Sequence, residues 1–93
     1  LDRLIGMLNR TLGEVEHELA RSMQDRDMDA LAKVAHNIKG TALNLHTPEL
    51  ARLAMLTQEE ARELNPQAWP SADHLLHCLR DFVTQASRHQ QVQ

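Results

Sequence analysis

The residues best equipped for chemistry lie in one run, Ala35-His36-Asn37-Ile38-Lys39-Gly40-Thr41-Ala42. A neutral imidazole is a good nucleophile near neutral pH, and His36 carries one among small and basic neighbours. The chain's only two lysines, Lys33 and Lys39, stand three residues before it and three after it. An anionic group placed on the ring would meet an ammonium on either side, and fixed positive charge stabilises such a group. Gly40 follows one helical turn on, where a glycine costs about 1 kcal/mol relative to alanine. Close approach by another molecule is one reason to keep it. Each residue has an ordinary alternative: His36 as an exposed helix histidine, the lysines as solvated charges, Gly40 as a packing contact.

Such a constellation needs a rigid helix. At about 100° per residue from Leu31, the side chains of Val34, Ala35, Ile38, Ala42 and Leu45 fall within roughly 60° and define a buried face. His36 lies about 140° away and points outward, with Ala32 and Gly40 one turn to either side. Leu43 shares that face two turns on, at about 120°. With Ala32 and Gly40 it makes a small apolar patch suited to a docking partner.

The remaining segments read as three more amphipathic helices. Leu1, Leu4, Ile5, Leu8, Leu12, Val15 and Leu19 form the stripe of a first helix over about residues 1–24, in which Gly6 and Gly13 suggest close packing. Asp25-Arg26-Asp27 is a turn, and Asp27 suits the N-cap of the second helix, over about 28–45. Thr47-Pro48-Glu49 opens a third over about 48–65, with Thr47 as cap, and Asn65-Pro66 ends it. Pro66 and Pro70 bracket Trp69 in a loop, and Ser71 caps a fourth helix over about 71–89 with the stripe Leu75, Leu76, Leu79, Phe82, Val83 and Ala86. Four amphipathic helices with short connections imply an all-α, up-down-up-down antiparallel four-helix bundle.

Composition narrows the function classes. Ninety-three residues make one domain, and 42% hydrophobic content with few Gly and Pro fits a globular helical chain. A formal charge of −3 argues against nucleic acid, which calls for a basic face. No run approaches the roughly 18 apolar residues of a membrane span. The single cysteine, Cys78, forms no internal disulfide and is compatible with a reducing cytosol. The chain opens at Leu1 already in helical register, so the expectation is a domain of a longer protein. His74, His77 and Cys78 share a helical spacing that can gather metal ligands, but Cys78 falls near Leu75 and Leu79 and reads better as a small buried cysteine. His17, His46 and His89 read as surface residues. No glycine-rich phosphate loop is present, nor an acidic set that would hold magnesium by itself.

His36-Asn37-Ile38-Lys39-Gly40 resembles the H-x-(I/L)-K-G signature of histidine-containing phosphotransfer (HPt) domains. The likeness extends over nearly the whole chain, through helix count and the histidine's place on the second helix. The family often closes that helix with a glycine about ten residues after the histidine; this chain has His46 there. The resemblance implies a phosphotransfer intermediate of a two-component phosphorelay. His36 would accept a phosphoryl group from a receiver-domain aspartate and pass it to a response-regulator aspartate. Lys39 would be the electrostatic helper, and Ala32, Lys33, Gly40 and Leu43 would meet the partner. The domain would need no cofactor of its own, with Mg2+ on the receiver, and no autonomous catalysis. It would be monomeric in isolation, cytoplasmic, and free of nucleic-acid or membrane contacts. Its parent would be a hybrid sensor histidine kinase anchored in the inner membrane, with this domain as terminal module. Two rivals stand beside this reading: a helical interaction module without phosphoryl chemistry, and the dimerisation helices of a histidine kinase. No ATP-binding segment follows to support the second.

Overall fold

Four helices form in chain order: α1 (Asp2–Gln24), α2 (Met28–Asn44), α3 (Pro48–Arg62) and α4 (Ala68–Val92). The computed structural model describes the backbone of residues 2–92 and the side chains of residues 10–85. Contacts run from α1 to α2, α2 to α3, α3 to α4 and from α4 back to α1, so the antiparallel helices close a ring round one core. Leu12, Leu19, Leu31, Ile38, Leu75 and Leu79 are its largest fully buried apolar side chains. They are the stripe residues expected from the 3.6-residue period. The side chains of Leu1, Leu4, Ile5, Leu8, Gly6, Ala86 and His89 lie outside the described residues.

Among the described residues, the α2–α3 pair shares the most extensive interface. Ala35 and Ala42 on α2, and Ala51, Ala54 and Ala61 on α3, are all buried. Small side chains let two helix axes approach toward the short end of the usual 8–10 Å range. Gly13 contributes nothing comparable. It is exposed, with no neighbouring atom within 4 Å of where a Cβ would stand, so the close packing expected of it does not occur.

Helix ends account for the differences from the expected boundaries. Asp27 caps α2, its carboxylate accepting from the Ala30 N–H at 3.2 Å. Thr47 sits at the α3 N-cap position, yet its hydroxyl donates backward to the Ala42 carbonyl at 3.0 Å and so closes α2. α3 stops at Arg62, three residues before the expected end, because Leu64 takes a left-handed conformation. α4 starts at Ala68 and not at Ser71. The Asn65 side chain accepts from the Gln67 N–H at 3.0 Å, and the turn runs directly into helix. Pro70 then falls in the first helical turn, where backbone N–H groups have no partner to lose. Ser71, inside the helix, donates its hydroxyl to Glu60 Oε1 at 2.5 Å and ties α4 to α3.

Three helices end in one motif without glycine. Arg26, His46 and Leu64 have φ of 54°, 57° and 56°. The next residue's N–H reaches back five positions in each case: Asp27 to Ser22 at 3.1 Å, Thr47 to Ala42 at 3.0 Å, and Asn65 to Glu60 at 2.9 Å. These are Schellman closures, in which glycine is the usual left-handed residue. His46 therefore reproduces the turn a glycine would make. A side chain in that region costs about 1–2 kcal/mol, less for the several residue types that tolerate it, histidine among them. His46→Gly should accordingly stabilise the fold by about 0.5–1 kcal/mol, raising the melting temperature by a few degrees. Thermal unfolding followed by circular dichroism checks this, and a lower melting temperature refutes it.

Candidate functional site

His36 leaves the middle of α2 on its solvent side, opposite the buried Leu31, Ile38 and Ala42. Its ring is nevertheless held. Gln58 of α3 places its amide Nε2 3.1 Å from His36 Nδ1. Gln58 is only 4% exposed, one of three buried polar side chains among the described residues, with Ser22 and Thr57. The other two satisfy themselves within their own helices: Ser22 donates to the Leu19 carbonyl at 2.7 Å and Thr57 to the Leu53 carbonyl at 2.9 Å. Gln58 alone of the three reaches across to another helix, and it reaches His36.

An amide facing a ring nitrogen can take either role. With its nitrogen toward the ring, Gln58 donates to Nδ1 and the ring proton sits on Nε2. With the amide turned over, Nδ1–H donates to the Gln58 oxygen, and Nε2 keeps a lone pair facing solvent. The second arrangement presents a nucleophile at the exposed edge of the ring while its other edge is fixed.

Beside the ring runs a shallow groove of about 490 Å³, lined by Asp29, Ala32, Lys33, His36, Asn37 and Arg62. Lys33 is committed within it, its Nζ 3.1 Å from Asp29 Oδ2 in an exposed ion pair one turn apart. Such a pair contributes only about 0.3–0.5 kcal/mol and gives way to a stronger anion. Arg62 has no ion-pair partner among the described residues, which leaves its guanidinium available to an anion on His36. Lys39 is half-buried and likewise without an ion-pair partner among them. It stands three residues from His36, on the neighbouring strip of the helix surface.

The other expected contacts divide. Ala32 is half-buried, packing against the core while also lining the groove. Gly40 is exposed, and a Cβ built on it meets nothing within 4 Å, so it is no packing glycine. Leu43 is 58% exposed. Lys39, Gly40 and Leu43 lie outside the groove lining, farther along the same side of α2. Gln58 and Arg62 were not singled out from sequence. The available signal was a glutamine set among the buried alanines Ala51, Ala54 and Ala61 of α3, with Arg62 one turn beyond it.

The remaining histidines stay apart from this site. His17, His46, His74 and His77 are exposed, and His77 Nε2 lies 3.6 Å from Asp73 Oδ2. Cys78, expected as a small buried cysteine, is half-buried and packs against the core. Among the described residues no group of three or more His, Cys, Asp and Glu side chains could hold a metal ion. Among them, too, no helix is long and apolar enough to cross a membrane.

A family model described as Hpt domain matches residues 1–89. No curated protein and no solved structure matches the chain.

The two exposed glycines separate helix energetics from site chemistry. Gly13→Ala and Gly40→Ala should each stabilise the bundle by up to about 1 kcal/mol, because both sit in regular helix with room for a methyl group. Chemical denaturation of the two variants checks this. A loss of stability in Gly40→Ala alone would mean that its backbone is under a constraint other than clearance.

Proposed function

Since the chain belongs to the Hpt domain family, whose members carry out histidine phosphotransfer in phosphorelays and meet receiver domains to do so, we propose that His36 is the residue that takes and gives the phosphoryl group. The observation that carries this reading is the exposed ring fixed at Nδ1 by a buried glutamine at 3.1 Å. An ordinary surface histidine has no such partner spanning two helices.

The chemistry follows from that geometry. The Nε2 lone pair attacks the phosphorus of a receiver aspartyl phosphate, in line with the carboxylate oxygen. The N–P bond forms as the P–O bond breaks, and the electron pair leaves with the aspartate carboxylate. The ring gains positive charge in this step. Nδ1–H then donates a stronger, charge-assisted bond to the Gln58 oxygen, so the interaction grows toward the transition state. Arg62, Lys39 and, once released from Asp29, Lys33 offset the charge on the phosphoryl oxygens. Transfer to a response-regulator aspartate is the same path reversed. Gly40 gives the incoming domain clearance, and Ala32 and Leu43 supply apolar contact.

In this reading the magnesium ion belongs to the receiver, and the domain acts as a cytoplasmic monomer at the end of a hybrid sensor histidine kinase. Phosphoryl transfer rests largely on positioning and charge neutralisation. A nucleophile on a rigid rod is therefore enough on this side of the reaction.

His36→Gln should abolish acid-labile labelling from a phosphorylated receiver while keeping the helical fold. The substitution takes the ring away from the buried Gln58 amide, so the melting temperature should fall by the several degrees that about 1–3 kcal/mol represents. Undiminished label on the variant would refute the assignment.

Lys39 permits a finer test. If its ammonium meets the phosphoryl group, Lys39→Ala should slow transfer at saturating receiver, and the loss should persist at high salt. A charge that only steers association would act on the encounter rate and fade as salt shortens the Debye length below about 8–10 Å. An unchanged saturated rate would leave Lys39 as a docking charge.

A further inference from the structure

Of the three left-handed residues that end helices, two have ready explanations. Arg26 uses its position to set its guanidinium 5.1 Å from the centre of the Trp69 ring. Histidine is among the residue types enriched in this region, so His46 is unexceptional. Leu64 is different. A bulky apolar side chain is a poor choice for φ of 56°, and this one is also 71% exposed, the most exposed large hydrophobic side chain among the described residues. Internal packing does not repay the conformation, because so little of the side chain is covered. Glycine or asparagine would close the same Schellman turn at lower cost.

We propose that Leu64 is a docking residue for the receiver domain, an apolar contact at the α3 end of the His36 face that sets receiver affinity. The inference rests on the assignment of His36 as phosphoryl acceptor. Continuity of the surface supports it: Arg62, two residues earlier, lines the groove beside His36. Arg62 follows Gln58 by four positions, about 6 Å along α3 at 1.5 Å per residue, and Leu64 stands two residues past that helix end, at most about 7 Å farther. A standard interface covers about 800 Å² on each partner, a disc of roughly 16 Å radius. A receiver centred on His36 therefore extends as far as Leu64. Burial of an exposed leucine by that partner returns what the isolated domain gives up in holding it there.

The test measures transfer from a phosphorylated receiver domain, chosen as the one that labels the wild-type chain fastest, over a range of receiver concentrations. Leu64→Asn keeps a residue suited to the left-handed region and removes the apolar contact. It should raise the half-saturating receiver concentration about tenfold, leave the saturated rate within about twofold, and melt no lower than wild type. Leu64→Met, which keeps apolar bulk, should stay near the wild-type half-saturation, and Gly13→Ala on α1 should not change it. An unchanged half-saturation in Leu64→Asn overturns the proposal, as does a lower melting temperature, which would make Leu64 a structural residue. Failure of every receiver to label wild-type His36 would instead overturn the phosphoacceptor assignment beneath it. Label on His36 with an indifferent Leu64 would overturn this inference alone.

Discussion

The site depends on how closely α2 approaches α3. Gln58 can hold the ring of an outward-facing histidine only if the two helices lie near enough for a four-atom side chain to bridge them. Alanines on both facing surfaces permit this, and Gln58 stands among those of α3. Larger residues there would push the helices apart and leave a buried amide without its partner, which costs more than the hydrogen bond itself contributes. Core packing and the orientation of the reactive ring are thus one constraint, imposed by residue size.

That coupling explains what was legible in the sequence. Each helix announces itself through its period, and the outward angle of His36 follows from the same count of residues. Lys33, Lys39 and Gly40 could be placed around it because they share its helix. The partners from α3 could not, since an angle on one helix says nothing about which residue of another lies opposite. Gln58 registers in sequence only as a polar residue on a mostly apolar face. The ion pair between Lys33 and Asp29 was equally invisible, although its one-turn spacing permits it.

Boundaries failed for a different reason. Pro70 and Asn65-Pro66 were read as interruptions, but a proline is acceptable in a first helical turn, and the asparagine side chain can start the next helix as well as end the last. His46 shows the converse case. The motif that usually employs glycine survives without it because the backbone bond from Thr47 to Ala42 forms all the same. The helix end is specified by hydrogen bonding and by the following cap as much as by the residue that bends. Residues that violate local preference without evident internal return, as Gly40 and Leu64 do, are where function is expected to show.

The stacking of Arg26 on Trp69 has a practical consequence. The chain has one tryptophan and no tyrosine, so its near-ultraviolet fluorescence comes almost wholly from a single ring. That indole is half-buried at the end of the bundle where the α1–α2 and α3–α4 turns meet, a few residues beyond Leu64. Its emission wavelength reports how much water reaches the ring at that end, where the Arg26 guanidinium now covers one face. The domain thus carries an unlabelled optical gauge of its upper turns. Fraying there can be told apart from melting of the distant α2–α3 turn, which the backbone signal alone would average together.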